Sequence, residues 1–273
     1  MTDSYDDSSP TPPAERAPLL DGVRFAFGTL TVLPARITRW DRPAARTGMV
    51  CAPLAGLVVG VLAAVPGVLL LVLGGGPLLA AAVTVAVPAA LTRGLHLDGL
   101  ADTADGLGSA KPADEALRIM KRSDIGPFGV VALVLALLVQ AAALSDAYAD
   151  SWIRGALAAV VAAVTARLAM TLASRAGVPA ARPGGLGAAV AGVVPRAAAA
   201  TATTAVVLLA AAAALPLGLP AACRYAAAVL AALLVAELLL RRCVRRFDGV
   251  TGDVFGALAE VSATTALVVL ALG

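Results

Sequence analysis

The chain has 273 residues, of which 60% are hydrophobic and 14% are charged, and its mean hydropathy is +0.89. Soluble domains contain about 25% charged residues, so this composition excludes an ordinary water-soluble protein. The formal net charge is +3. In a membrane protein such an excess of basic residues indicates orientation in the bilayer, and we expect no nucleic-acid partner.

The N-terminal part of the chain is polar before the first apolar segment begins. Residues 1–18 are acidic and rich in Pro and Ser, which predicts a disordered tail. Residues 19–273 are predicted to form a single membrane-embedded domain. It begins with an amphipathic segment over residues 19–33, which can lie along the membrane surface, and a basic stretch over residues 36–46 follows.

Apolar runs of the length that a bilayer requires follow one another through the rest of the chain. They predict an all-α, polytopic integral membrane bundle of about seven transmembrane helices, over residues 49–73, 78–92, 127–144, 152–173, 197–215, a sixth run ending near residue 240 and a last run to residue 273. The second run is short for a full crossing. Its helix is expected to continue into the acidic stretch that follows, with a re-entrant segment as the competing possibility. Polar or basic links are expected at 145–151 and 241–246.

Positive charges fall mainly on one side of this predicted topology. Residues 36–46 contain four Lys or Arg, 93–122 contain five, 175–196 contain three and 241–246 contain four, whereas the opposite connections contain only Arg154 and Arg224. Basic loops of membrane proteins face the cytoplasm. The sequence therefore predicts a multi-pass protein of the cell membrane with a cytosolic N-terminus and its acidic motifs on the cytoplasmic side.

The most chemically distinctive stretch lies between the second and third apolar runs. Asp98, Asp102 and Asp105 are spaced at i, i+4 and i+7, so a helix would project all three from one face. Like charges at this spacing repel one another, and a bound cation would remove the repulsion. Oxygen ligands alone favour a hard ion such as Mg²⁺ over zinc. The alternative is a solvated acidic loop between two helices.

A second acidic group precedes and enters the last apolar run. Asp253 and Glu260 are seven residues apart, so they share a face if the final helix begins near Thr251. Thr251 is also a candidate helix N-cap, which is a purely structural role. Glu260 lies two turns into an apolar run, where a carboxylate is costly unless it is paired or functional. Since both acidic groups are predicted on the cytoplasmic side, we expect them to line one cavity.

Three basic or titratable residues are further candidates for substrate binding. Arg167 lies inside a predicted span, where an arginine is a functional candidate by default and its fork matches a phosphate; the alternative is a structural salt bridge to Glu237 or Glu260. His96 alone is weak evidence, since a hydrogen-bonded histidine near a helix start is the more frequent finding. Arg182 lies in the basic loop over residues 175–196.

No nucleophile elbow, Walker loop or HExxH zinc motif occurs in the sequence. Acidic clusters beside basic loops, without a nucleophile signature, indicate metal-assisted phosphoryl transfer. In such reactions, positioning and charge neutralisation supply most of the catalysis.

The stretch Gly94-Leu-His-Leu-Asp-Gly-Leu-Ala-Asp-Thr-Ala-Asp-Gly106 resembles the signature of the cobalamin synthase family, the adenosylcobinamide-GDP ribazoletransferases. Residues 25–34, 119–129 and 250–257 also resemble that family, so the likeness covers nearly the whole chain apart from the tail. The resemblance implies a polytopic, Mg²⁺-dependent membrane enzyme. It joins adenosylcobinamide-GDP and α-ribazole, or α-ribazole 5′-phosphate, to form adenosylcobalamin or its 5′-phosphate, and it releases GMP.

The resemblance also implies roles for individual residues of this chain. The expected catalytic residues are Asp98, Asp102, Asp105 and Asp253, and the expected metal ligands are these four together with Glu260. His96, Arg167, Thr251 and Arg182 are expected to bind substrate. Arg167 is further expected to reach the acidic cavity from below, with Glu260 close enough to offset its charge.

Two other functions agree with parts of the sequence. Asp102-Thr-Ala-Asp105-Gly106 matches the start of the motif of CDP-alcohol phosphotransferases, Asp-x-x-Asp-Gly, but the later acids of that motif are missing here. A cation transporter should instead place its ionisable groups near the bilayer midplane. Most acids of this chain fall at predicted helix ends on one side, which favours chemistry at the membrane surface.

Overall fold

A computed structural model describes residues 17–272, and within that range it contains α-helices and no β-strand. Residues 1–16, most of the predicted tail, lie outside the described residues. The helices are α1 Leu19–Leu30, α2 Arg42–Val72, α3 Pro77–Leu91, α4 Leu95–Gly108, α5 Ala113–Ile119, α6 Pro127–Asp150, α7 Trp152–Ala173, α8 Leu186–Val190, α9 Arg196–Ala214, α10 Leu219–Phe247 and α11 Gly252–Ala271.

The predicted all-α membrane bundle is confirmed. Six helices within residues 17–272 are long and apolar enough to cross a membrane, and a seventh span is added if α3 and α4 count as one broken segment. The amphipathic N-terminal segment forms α1, which buries Phe25 and Leu30 and packs along α2. The division into a tail and one domain stays a prediction.

Helix α7 lies at the centre of the bundle and contacts α2, α6, α9, α10 and α11. It is rich in alanine, and small side chains let neighbouring helices approach closely. Gly56 and Gly60 of α2 mark the closest approach: a methyl group added at Gly56 would lie 2.5 Å from the backbone oxygen of Ala163. A tight α2–α7 pair therefore forms the framework around which the other helices pack.

The expected continuation of the second span into the acidic stretch is wrong, because the chain bends by 88° between α3 and α4. The Gly94 amide donates to the Ala89 oxygen at 2.7 Å, and the Arg93 amide donates to the Ala90 oxygen at 3.1 Å. These two bonds form a Schellman motif, which ends a helix with a left-handed residue. Arg93 has φ +53° and Gly94 has φ +71°, so the acidic stretch is a separate short helix.

Two predicted links are helical in the structure. Residues 145–150 continue α6, which ends only at Ser151, and the arginines at 241–246 continue α10 to Phe247. Polar residues alone do not break a helix, and neither segment contains Gly or Pro. In both cases the helix ends where the backbone changes: Ser151 is extended, and Asp248 adopts a left-handed conformation with φ +61°.

Candidate active site

The two acidic motifs meet where α4 crosses α11. A methyl group added at Gly99 would lie 2.6 Å from the backbone oxygen of Asp253, and one added at Gly256 would lie 3.0 Å from the Cα atom of His96. Such distances mean that the two helix backbones are in direct contact, which only glycine permits on both sides. Asp98 precedes Gly99 in the chain, so the crossing brings the first acidic motif beside the second. The expected common cavity stays a prediction.

Asp102 lies at the centre of this acidic group. Asp102 belongs to α4, which is too short to span a bilayer by itself. Its side chain is partly buried. Burial raises the pKa of the Asp102 carboxyl from 3.8 to about 7, and the charges of Asp98, Asp253 and Asp105 add to this effect. The Arg182 guanidinium opposes it. These charges therefore act on one another across the α4–α11 crossing.

Asp105 has a different set of partners. One of its carboxylate oxygens accepts a hydrogen bond from the Gly126 amide at 2.7 Å, and the other accepts from the Gly129 amide at 3.0 Å. Both amides belong to the N-terminus of α6, where unpaired N–H groups and the helix dipole favour a negative charge. Asp105 is buried, with 7% of its surface exposed. Its charge thus joins α4 to α6.

Thr251 begins α11 and holds Asp253. Its hydroxyl accepts from the Val254 amide at 3.3 Å, so the N-cap role is observed, and the same hydroxyl donates to Asp253 Oδ2 at 3.1 Å. Asp253 lies in the first turn of α11, where a carboxylate is favoured by the helix dipole. Thr251 therefore orients the carboxylate of Asp253 at the crossing.

Arg182 reaches the acidic group from the loop between α7 and α9. This loop is paired with the segment before α11: the Ala181 amide donates to the Val250 oxygen at 3.0 Å, and the Val250 amide donates to the Pro179 oxygen at 2.9 Å. Arg182 Nη2 donates to the Leu117 oxygen at the end of α5. Its positive charge interacts favourably with Asp102 and Asp253, so it supplies a basic group to this candidate site.

Arg167 and Glu260 lie elsewhere. The structure places both side chains in a small cavity among α3, α4, α6, α7 and α11, with Leu97 of α4 in its wall. Arg167 is only 3% exposed, and Glu260 accepts a hydrogen bond from Gln140 Nε2 at 3.0 Å. Arg167 therefore does not reach the acidic face of α4 as expected, although Glu260 does interact electrostatically with it.

His96 lies on the buried face of α4. It is 2% exposed, and its Nε2 atom has no hydrogen-bond partner among the described residues. The ring lines a mainly apolar cavity beside Phe255 and Met170. His96 is therefore separated from the exposed carboxylate of Asp98, although it lies on the same helix.

Comparison with known proteins gives the family. The family model described as cobalamin-5-phosphate synthase matches residues 22–271. The chain belongs to this family. No solved structure matches it.

Curated members of the family are similar over most of their length. An adenosylcobinamide-GDP ribazoletransferase of Frankia casuarinae is 44% identical over 269 residues, which cover 92% of this chain and 94% of that protein. Proteins of the same name are 39% identical in a Nocardioides species, covering 90% and 96% of the two chains, and 36% identical in Pseudomonas paraeruginosa, covering 93% and 98%. The family match thus includes both acidic motifs and all the helices that carry them.

The donor set of the site suits Mg²⁺ that arrives with a phosphate substrate. Within residues 17–272, no three His, Cys, Asp or Glu side chains lie close enough together to hold a metal ion by themselves. Mg²⁺ is commonly held by one or two carboxylates, with substrate phosphates and waters as the other ligands. Asp98, Asp102 and Asp253 offer oxygen atoms that repel one another at the crossing. A cation would relieve that repulsion, so these residues fit the ion.

Sequence reasoning missed the groups that hold the acidic residues in place. The amides of Gly126 and Gly129 and the side chain of Gln140 have no chemical signature in the sequence. The Gly99–Gly256 contact could have been suspected, since both glycines lie in otherwise good helix-forming segments and a glycine there needs a packing reason.

Proposed function

We propose that this chain is an adenosylcobinamide-GDP ribazoletransferase. It joins adenosylcobinamide-GDP with α-ribazole, or with α-ribazole 5′-phosphate, and releases GMP. The observation that supports this most directly is the α4–α11 crossing, which gathers Asp98, Asp102 and Asp253 and sets Arg182 beside them. The names of the relatives support the reaction, and the crossing supports its proposed location in the fold.

The reaction transfers the phosphoryl group that carries the cobinamide arm from a phosphate oxygen of GMP to a hydroxyl oxygen of α-ribazole. A hydroxyl oxygen of α-ribazole attacks the phosphorus that carries the cobinamide arm, a new P–O bond forms, and the P–O bond to GMP breaks. The hydroxyl proton passes to a carboxylate of the site. We propose that Arg182 binds the pyrophosphate and that Thr251 orients the Asp253 carboxylate toward the metal ion.

Mg²⁺ is the proposed cofactor, and it would neutralise charge on the pyrophosphate during attack and departure. Asp98, Asp102 and Asp253 are the candidates for the one or two carboxylates that would bind it, and substrate phosphates and waters would supply the other ligands. Asp105 and Glu260, which the sequence also suggested as ligands, are left out of this set. The α6 amides hold Asp105, and Gln140 holds Glu260 in a different cavity.

The proposed location is the cell membrane, with the site facing the cytoplasm. The Arg-rich end of α10, the loop that carries Arg182 and the short helix α5 lie on the same side as the α4–α11 crossing. This side carries most of the basic residues outside the spans. Water-soluble substrates would then reach the carboxylates without entering the bilayer.

Turnover by the purified protein in lipid nanodiscs tests the function. With adenosylcobinamide-GDP, α-ribazole and Mg²⁺, we expect adenosylcobalamin and GMP to appear in equal amounts. No product under these conditions would contradict the proposed reaction. Full turnover in excess chelator would contradict only the Mg²⁺ requirement. CDP-alcohol substrates and cation flux serve as controls for the two alternative functions, and we expect neither CMP release nor transport.

A further inference from the structure

A small cavity that contains charged side chains lies within the helix bundle, separate from the carboxylates of Asp98, Asp102 and Asp253 at the α4–α11 crossing. It offers about 50 Å³ of space for water, and its wall consists mostly of alanine and leucine side chains from α2, α3, α4, α6, α7 and α11. The charged or amide side chains in this wall are Arg167, Glu260 and Gln140. An apolar bundle that keeps three such groups around one space requires a physical explanation.

Arg167 is the least satisfied of these groups. It is 3% exposed, and its Nε and Nη2 atoms have no hydrogen-bond partner among the described residues. A buried guanidinium without partners is strongly unfavourable, because burial removes the water that would otherwise solvate its charge. The cavity into which it faces must therefore supply acceptors.

Glu260 supplies the opposite charge but not a direct contact. Its Oε2 atom accepts from Gln140 Nε2 at 3.0 Å, and Gln140 Nε2 also donates to the Thr264 hydroxyl at 2.9 Å. Gln140 of α6 thus holds the carboxylate, and Gln140 is itself bound to Thr264 of α11. Among the described residues, the ion pairs do not include Arg167 with Glu260, although the two charges interact across the cavity.

The size of the cavity indicates what fills it. One water needs roughly 10–15 Å³ of such space, so about three to five waters fit. A nucleotide needs a pocket of several hundred cubic ångströms, which excludes the substrates. A free anion would bring a second negative charge beside Glu260. Water has both donors and acceptors and can satisfy both side chains.

We infer that a cluster of ordered waters occupies this cavity and joins Arg167 to Glu260 as a water-bridged ion pair. The pair links α7 to α11, and Gln140 extends the network to α6. Leu97 of α4 closes the cavity on one side, and the next residue is Asp98. Arg167 and Glu260 are therefore positioning residues: from the interior of the bundle they keep α4, and with it Asp98, in place. This role rests on the proposed function, whereas the water-bridged pair does not.

A double-mutant cycle tests the pair without any substrate. Each of Arg167→Met and Glu260→Met leaves one buried charge uncompensated, so we expect each to lower the thermal unfolding midpoint in nanodiscs by on the order of 10 °C. The double variant removes both charges, and we expect its midpoint to lie at least halfway back from that of either single variant to that of the wild type. Losses that simply add in the double variant would overturn the inference.

The Arg175–Glu237 pair provides a matched control. These side chains form a direct contact of 2.9 Å between the residues just after α7 and the middle of α10, and both are partly exposed; Glu237 also pairs with Arg241 at 2.7 Å. Exposed or partly exposed pairs contribute little. We therefore expect Arg175→Met and Glu237→Met to shift the midpoint by only a few degrees and to leave turnover within twofold of wild type. Equal shifts in both cycles would contradict a special role for the buried pair.

A high-resolution structure tests the waters themselves. We expect separate density peaks within hydrogen-bond distance of Arg167 Nε and Nη2, continuing toward Glu260, and we expect them to be absent in the double variant. A direct Arg167–Glu260 contact, a single tetrahedral anion or an empty cavity would each overturn the inference.

Turnover separates a positioning role from simple stabilisation. In the double variant we expect the unfolding midpoint to recover at least half of the loss. We expect kcat to stay about tenfold or more below wild type, with KM nearly unchanged, because the charges and waters that fill the cavity behind Leu97 of α4 are gone. Recovery of kcat together with stability would overturn the positioning role. If the wild-type protein shows no turnover at all, the proposed function fails, and the stability cycle and the density still decide the water-bridged pair.

Discussion

Asp102 and Asp105 lie three residues apart on α4, yet their carboxylates have opposite surroundings. Asp105 accepts from two amides at the start of α6, which satisfies its charge. Burial and the neighbouring carboxylates disfavour the ionised form of Asp102, so its pKa is raised. The i, i+4, i+7 pattern predicted that the aspartates share one face if the stretch is a helix. It could not predict the α6 amides, because every residue except proline carries one.

For Asp102→Asn we expect a loss of turnover of about 100-fold or more without loss of stability, because the amide removes a charge that the reaction needs. Folding raises the pKa of Asp102 from 3.8 to about 7. The folded state of the wild type thus binds more protons between these values, and its stability falls as the pH rises through them. The neutral amide avoids this loss.

The pH dependence of thermal unfolding checks this prediction. The midpoint of Asp102→Asn should exceed that of the wild type at pH 8, and the difference should shrink toward pH 4. Unfolding measured in detergent without Mg²⁺ is the appropriate test, since a bound cation would compensate the charge. A variant that is less stable than the wild type at pH 8 would contradict the electrostatic account of Asp102.

For Asp105→Asn we expect the opposite effect on stability. The neutral side chain loses charge-assisted hydrogen bonds from Gly126 and Gly129. Asparagine keeps one acceptor oxygen, so at least one of the two bonds is lost. A hydrogen bond to a charged group contributes about 1.5–3 kcal/mol, so a loss of about 2 kcal/mol or more is expected. Chemical unfolding of both asparagine variants side by side measures the contrast. Equal stability of the two variants would show that the α6 amides do not distinguish Asp105.

At the scale of helices, two glycines determine where the site forms. Gly99 and Gly256 let α4 and α11 touch, and this contact brings together carboxylates about 150 residues apart in the sequence. The sequence predicted that the acidic motifs share one side of the membrane and meet there. It did not predict the 88° bend before α4, because the left-handed residue of the Schellman motif is Arg93. Arginine gives no local signal for that conformation.

Substitution of either glycine tests the crossing. Gly99→Ala places a methyl group 2.6 Å from the Asp253 oxygen, and Gly256→Ala places one 3.0 Å from the His96 backbone, so the helices must separate. Overpacking of this kind costs about 1–3 kcal/mol. We expect turnover to fall by a larger fraction than the free energy of unfolding in both variants, since the carboxylates move apart.

Gly184→Ala is the matched control, because no atom lies within 4 Å of the position that its new methyl group would take. Unfolding and turnover are measured for all three variants under the same conditions. Wild-type activity in Gly99→Ala would show that the reaction does not need the close contact of α4 with α11.

At the scale of the whole molecule, the order of the membrane-spanning helices places every segment of the proposed site on the same side of the membrane. If the α3–α4 pair counts as one crossing, the segments after α4, before α9 and before α11 all follow an even number of crossings. The membrane bundle could be predicted from hydropathy alone, since backbone groups in lipid must pair within helices. The separation of Arg167 from the acidic site could not, because it depends on which face of α7 meets α4.

Labelling of single cysteines in sealed vesicles tests this arrangement. We expect Glu115→Cys and Gly184→Cys, on the basic side, to react with an impermeant thiol reagent only in inverted vesicles, because basic segments stay in the cytoplasm. Gly76→Cys and Ala149→Cys, on the opposite connections, should react only in right-side-out vesicles. All four positions are exposed, and Cys51, Cys223 and Cys243 are first replaced by alanine. Labelling of Glu115→Cys and Gly184→Cys from opposite sides would separate α5 from the loop that carries Arg182, and the proposed site could not form.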